Sequence, residues 1–194
     1  TPYLKDMWID MFSAICQWQY NYGDAIVTLY KGNKDLQMEY GAKAENVRVV
    51  PNGIDIERFR SARQPRCAHP VKRVGLVGRV DSVKDVKTYI QAISIIQKGY
   101  PAVEGLIIGP TDDQPEYYRE CRQLADMLDL KQTLTFTGRA DVLDYYKNMD
   151  LLLLTSIKEA MPLVVMEAMA CGIPVVATSV GACRELLYGM DDDI

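Results

Sequence analysis

The sequence predicts an α/β chain: a doubly wound domain with a parallel sheet over residues 71–194, preceded over residues 1–60 by the tail of another α/β domain. Three observations predict it. From Val71 onward short apolar runs alternate with amphipathic stretches, the pattern of strands joined by crossover helices. Several runs, such as the four leucines at 151–154, are apolar throughout, as strands covered on both faces are. The first sixty residues hold only two short strands among helical stretches, too little to enclose a core of their own.

In chain order, an aromatic helix is predicted over 5–20, a strand over 25–29, a helix over 33–40 and a strand over 47–50. Residues 61–70, SARQPRCAHP, are polar and aperiodic with two prolines, which reads as a linker between domains. Beyond it, strands are predicted at 73–77, 105–108, 133–137, 151–154 and 175–177, alternating with helices at 84–98, 115–128, 142–148, 163–170 and 182–188. The pattern stops at DDDI directly after a helix, and the first domain is only a tail, so truncation is expected at both ends.

Bulk composition excludes several functions. A net charge of −4 argues against a broad nucleic-acid footprint, so a phosphate partner would have to be met locally. No apolar run approaches the ~20 residues that span a bilayer, and Lys5, Asp6 and Asp10 interrupt any secretory signal, which makes the cytoplasm the expected compartment. The five cysteines form no CxxC pair and the single histidine, His69, sits beside Pro70, so no metal site is expected. The thiols read as small apolar side chains and His69 as a surface residue.

Two constellations carry chemistry. In SIKEAMPLVVMEAMACG, residues 156–172, Pro162 suits the first helical position, placing the helix start near Met161 and making the N–H groups around Leu163 to Val165 an anion site. Glu159 precedes this helix and Glu167 lies inside it. Carboxylates accept paired hydrogen bonds from vicinal diols, so the two could serve sugar and ribose hydroxyls. Glu167 stands among apolar neighbours in VVMEAMA, where an unpaired charge would be costly, so it should have a partner. The second constellation, GLVGRVDSVK at 75–84, puts Gly78, Arg79 and Lys84 beyond the carboxyl end of the domain's first strand, where open α/β sheets bind ligands. Arg79 offers a planar fork for phosphate oxygens and Lys84 a point charge.

Together GRVDSVKD, FTGRADV, EAMPLVVMEAMACGIPVVAT and VGACREL resemble the retaining glycosyltransferases of the GT4 type, which have the GT-B fold with a Rossmann-like donor domain. PNGIDIERF is similar to that family's crossing between domains. The segments TPYLKDMWIDMF, GPTDDQPEYYRECRQL and LLLTSIKEAMPLVVMEAMA resemble its PelF-like subgroup, soluble enzymes of exopolysaccharide synthesis associated with biofilm.

The resemblance implies that Gly78, Arg79 and Lys84 hold the donor diphosphate, with Arg79, Lys84 and Glu159 as the catalytic set. Glu159 would contact the donor sugar and Glu167 the ribose, with backbone from Ala160 through Met161 and Pro162 to Leu163 at the phosphate and sugar. Arg139 and Val142 would flank the base. Ala160 stands where many family members have glycine, and the PelF-like subgroup shares the alanine. The implied reaction is transfer of a hexose, glucose first, from a UDP-sugar to a growing exopolysaccharide with retention, without cofactor or obligatory metal. Residues 1–60 would then be the end of the acceptor-side domain, and this chain mainly the donor-binding part, inactive alone. The implied partners are the nucleotide sugar, the polysaccharide acceptor and membrane-bound synthase subunits that recruit the protein to the inner face of the membrane. A homodimer is a further expectation. Two other readings use the same donor site: a non-catalytic nucleotide-sugar-sensing module of a synthase complex, and a sugar-nucleotide epimerase.

Overall fold

The structure, a computed structural model, describes residues 2–62 and 70–189, with the side chains of residues 2–6 left aside. His69, Cys67, most of the expected linker and residues 190–194 lie outside the described residues.

The chain divides into two compact units, residues 1–52 and 53–194. In the first, helix α1 (Pro2–Tyr22) leads to strand β1 (Ile26–Thr28), helix α2 (Lys31–Glu39) and strand β2 (Val47–Val49). The strands pair in parallel, Ile26 opposite Val47 and Thr28 opposite Val49. Asn46 closes the turn into β1 by donating from Nδ2 to the Gly23 carbonyl at 3.2 Å. Few residues here are buried: Thr28, Ala42 and Val47 are, whereas Trp8, Phe12, Trp18 and Tyr22 on α1 are more than half exposed.

The second unit opens with helix α3 (Ile56–Arg60), which the sequence pattern did not predict. Asp55 caps it, accepting the Arg58 N–H at 3.0 Å. The expected domain boundary at 60/61 therefore differs from the division at 52/53. The reason is apolar: Phe59 is buried in a cluster with Tyr146, Leu152, Ala168 and Cys171, so α3 is held by the core of the second unit.

Next come β3 (Lys72–Val77), α4 (Val86–Gly99), β4 (Val103–Ile108), α5 (Pro115–Met127), β5 (Leu134–Gly138), α6 (Val142–Tyr146), β6 (Leu151–Leu154), α7 (Leu163–Ala170), β7 (Val175–Ala177) and α8 (Cys183–Tyr188). The five strands lie in the order β5-β4-β3-β6-β7 and every pair is parallel. Side chains of β3 alternate between two cores, as the two-residue period of a strand requires. Val74 and Leu76 join Ile90 and Ile93 of α4 and Cys121 and Ala125 of α5, whereas Val77 joins Tyr146, Leu152 and Ala168. Helices thus cover both faces, the doubly wound arrangement that apolar strands predict. Gly75 belongs to the second face, where a Cβ would run into the Met149 side chain.

One buried polar group locks the sheet centre. Tyr89 of α4 is fully buried; its hydroxyl donates to the Val74 carbonyl at 2.7 Å and accepts the Leu106 N–H at 2.9 Å. Both bonds compensate the desolvation that would otherwise destabilise a buried hydroxyl.

Candidate functional site

Strand order locates the crevice. From β3 the chain winds outward through β4 to β5, and then returns to β6 and winds the other way to β7. The reversal between β3 and β6 is the topological switch point, outside whose carboxyl ends open α/β sheets take ligands. Two loops emerge there, residues 78–85 after β3 and residues 155–162 after β6. They contain Gly78, Arg79 and Lys84 of one constellation and Glu159 through Pro162 of the other.

The β3 loop is organised by glycine and one carboxylate. Gly78 has φ of 150°, and a Cβ on it would press against Lys84 Cε at 3.0 Å. Asp81 is 3% exposed; its Oδ1 accepts the Lys84 N–H at 2.9 Å and its Oδ2 lies 3.3 Å from Arg79. Asp81 therefore fixes the two cations relative to each other, one through backbone and one through charge. Nothing in the sequence singled it out. Arg79 reaches outward, 60% exposed, and also meets Asp113 at 3.2 Å.

The β6 loop is tied to the β3 loop by backbone. Ile157 N–H donates to the Val83 carbonyl at 2.8 Å, and Thr155 Oγ1 lies 2.9 Å from the Lys84 carbonyl. On that support Lys84 Nζ meets Glu159 Oε1 at 2.6 Å, with side-chain exposures of 18% and 14%. Ser156, 1% exposed, donates to the same oxygen at 2.7 Å. Behind the loop stands Gly181 with φ of 53°, where a Cβ would strike the carbonyl oxygens of Glu159 and Ala160. The Ala182 N–H donates to the Ala160 carbonyl at 2.8 Å. Ser156 and Gly181 are support that the sequence reading missed. Their roles arise only from chain segments brought together by the sheet.

Helix α7 begins at Leu163, with Pro162 as its N-cap at ψ of 113° and no side-chain cap. The expectation of a start near Met161 with Pro162 inside the first turn is therefore corrected by two residues. The cause is the extended ψ of Pro162, which holds the preceding Met161 outside the helix. Ala160 is exposed, Met161 half-buried and Leu163 43% exposed.

Glu167 does not join the Lys84–Glu159 group. The partner that its apolar context predicted is Tyr146, the last residue of α6, whose hydroxyl donates to Oε2 at 2.9 Å. Tyr146 is 2% exposed. Burial, and then the Glu167 carboxylate, push its phenol far above the ordinary value, so it remains a donor at every physiological pH. Arg139 is exposed just after β5, and Val142 is partly buried against the core beside Tyr146. Of that pair Arg139 alone is exposed. Among the described residues no group of three or more His, Cys, Asp or Glu could hold a metal ion, and no helix is long and apolar enough to cross a membrane.

Chemically, the crevice is a set of cations whose counterions are internal. Arg79 and Lys84 already hold carboxylates, so an anionic ligand would enter by exchange, and the carboxylates set free could then accept hydroxyls of the same ligand.

Comparison with known proteins gives this geometry a context. The family model described as glycosyl transferases group 1 matches residues 71–193, and a domain of unknown function (DUF3492) matches residues 1–45. A D-inositol 3-phosphate glycosyltransferase of Saccharomonospora viridis is 30% identical over 169 residues, 80% of this chain and 38% of that protein. Its counterpart in Paenarthrobacter aurescens is 28% identical over 159 residues, 76% of this chain and 38% of its own length. The chain thus spans about two fifths of these relatives. A glycosyltransferase structure from Rickettsia africae has a TM-score of 0.81 at 19% identity, covering 90% of this chain and 50% of that one. Anabaena HepE, solved in complex with UDP-glucose, has a TM-score of 0.73 at 24% identity, covering 86% and 48%. At such identities the two structures show a shared fold.

Proposed function

The chain belongs to the glycosyl transferases of group 1, and on that premise we propose that residues 71–189 bind a nucleotide-sugar donor for a retaining hexosyl transfer. The donor is a UDP-hexose, glucose first, and the acceptor a growing exopolysaccharide. Residues 1–52 are the end of the acceptor-side domain, so transfer belongs to the longer protein. The observation that carries the reading is the Lys84–Glu159 pair at the switch point, at 2.6 Å and mostly buried.

In this reading a diphosphate oxygen displaces Glu159 from Lys84, and Arg79 exchanges Asp113 for a second phosphate oxygen. Charge developing on the leaving diphosphate is then met by two preorganised cations. Glu159, released but still held by Ser156, accepts hydroxyls of the sugar, and Glu167 accepts the ribose diol. Arg139 lies toward the base. No side-chain nucleophile is required. What supports the specific donor and acceptor is the sequence of residues 1–12, 109–124 and 152–170, similar to the PelF-like subgroup. The chain's family-level relatives do not distinguish that subgroup.

The test is calorimetry of UDP, GDP and ADP against the folded chain, its Arg79→Ala variant and its Glu167→Ala variant. UDP should bind most tightly, and each substitution should weaken it about tenfold, the scale of one charge-assisted hydrogen bond. No detectable binding of any nucleotide would remove the donor site, and binding indifferent to both substitutions would remove the residue assignments. With the longer protein, UDP-glucose incubated with and without acceptor separates transfer from epimerisation or simple sensing, and the anomeric configuration of the product reads retention.

A further inference from the structure

The most informative feature outside the phosphate end of the crevice is the Tyr146–Glu167 contact. Glu167 carries a carboxylate among apolar side chains of α7, and its partner is a neutral phenol rather than a cation. A lysine or arginine there would cancel the charge and compete with any hydroxyl. A phenol fixes one oxygen and leaves the carboxylate an acceptor. Among the described residues the other oxygen, Oε1, has no hydrogen-bond partner. The phenol is itself fixed, 2% exposed, with its ring centroid 6.1 Å from that of Phe59, in the cluster that holds α3, α6 and α7 together.

We propose that Tyr146 is a positioning residue for ribose recognition: its hydroxyl holds one oxygen of Glu167 so that the other accepts from the vicinal diol of a nucleoside diphosphate. This rests on the reading of Glu167 as the ribose contact. A carboxylate already immobilised loses less conformational freedom when it takes a ligand hydroxyl, so the gain falls on ligands that have both hydroxyls. A phosphate would be repelled from the same place. The phenol therefore contributes to selectivity for a ribonucleotide over its 2′-deoxy counterpart without touching either.

The experiment measures dissociation constants of UDP and 2′-deoxy-UDP for the full chain, Tyr146→Phe, Glu167→Gln and the double variant. Tyr146→Phe keeps every ring contact and removes only the hydroxyl. Expected is a wild-type preference for UDP, lost in Tyr146→Phe through a roughly tenfold weakening of UDP with 2′-deoxy-UDP nearly unchanged. Glu167→Gln should lose the same preference, and adding Tyr146→Phe to it should change neither constant. The double variant also keeps the test open if the single one folds poorly, because it has no carboxylate left without its donor. A preference preserved in Tyr146→Phe, equal weakening of both ligands, or a further loss in the double variant would overturn the role of Tyr146 alone. A wild type with no preference would overturn the ribose assignment of Glu167, and this proposal with it.

Discussion

The two glutamates eight positions apart are held in opposite ways. Glu159 meets a cation and a hydroxyl on the same oxygen, in the loop between β6 and α7. Glu167 meets one neutral phenol on the second turn of a helix. The first is charge-compensated, so an anionic ligand must exchange with it. The second meets a phenol instead of a cation, an arrangement suited to hydroxyl donors. In the proposed reading the first lies beside the phosphates and the transferred sugar and the second takes the ribose, an inequality that the apolar setting of Glu167 in VVMEAMA already suggests.

The largest effect that could break this contrast is expected from Lys84→Met. It leaves Glu159, 14% exposed, with Ser156 as its remaining polar partner. Orphaning a buried charge costs about 3–5 kcal/mol, and the residual exposure reduces this to about 2 kcal/mol. Nucleotide affinity should fall by about two orders of magnitude through loss of the cation. Adding Glu159→Gln should recover the stability but not the affinity, as read by thermal melting and calorimetry. A Lys84→Met variant that melts like wild type would show that the pair is not the closed unit described above.

A smaller effect separates support from open turn. At Gly181 a methyl group would strike the Glu159 and Ala160 carbonyls, whereas at Gly138, with φ of 71°, it would meet nothing. Both positions carry the left-handed penalty of about 1 kcal/mol for alanine. Gly181→Ala should cost more than Gly138→Ala and should weaken UDP binding, while leaving the preference for UDP over 2′-deoxy-UDP intact. Loss of that preference in Gly181→Ala would mean that the two ends are not independent.

The smallest expected effect uses native thiols as reporters. Burial, and then Glu167, raise the Cys171 thiol, while burial is the main cause at Cys183, with Glu159 adding to it. Removing a raising charge lowers the thiol pKa and increases thiolate at a fixed, mildly alkaline pH. Glu167→Gln should therefore speed alkylation of Cys171, and Glu159→Gln that of Cys183, each by a severalfold factor at most. Mass-spectrometric rates across pH would check this, and equal effects of either substitution on both cysteines would erase the distinction.

Much of the fold was legible because strand period and apolar runs survive in one dimension. The strands of the second unit were placed to within two residues, and β6 and β7 were read with their bounds intact. Helix α3 was not, since five residues give too short a period and its reason for existing is Phe59 meeting Cys171 and Tyr146 across the fold. The site was half legible. Arg79, Lys84, Glu159 and Glu167 announce themselves by type and context, and the need of Glu167 for a partner follows from its neighbours. Which partner does not: Tyr146 is 21 positions away, and Lys84 and Glu159 are 75 apart. Such pairs are made by the strand order, which local patterns leave open.

The internal pairing of Arg79 with Asp81 and Asp113, and of Lys84 with Glu159, bears on how fast a ligand arrives. An unpaired basic cleft draws anions from a distance, and its encounter rate falls steeply with ionic strength. Here two cations face three carboxylates, so these five side chains together offer a diphosphate no net attraction. Encounter would then proceed at an ordinary, weakly salt-sensitive rate, and discrimination would fall to the dissociation step, after the ligand has replaced Glu159 and Asp113.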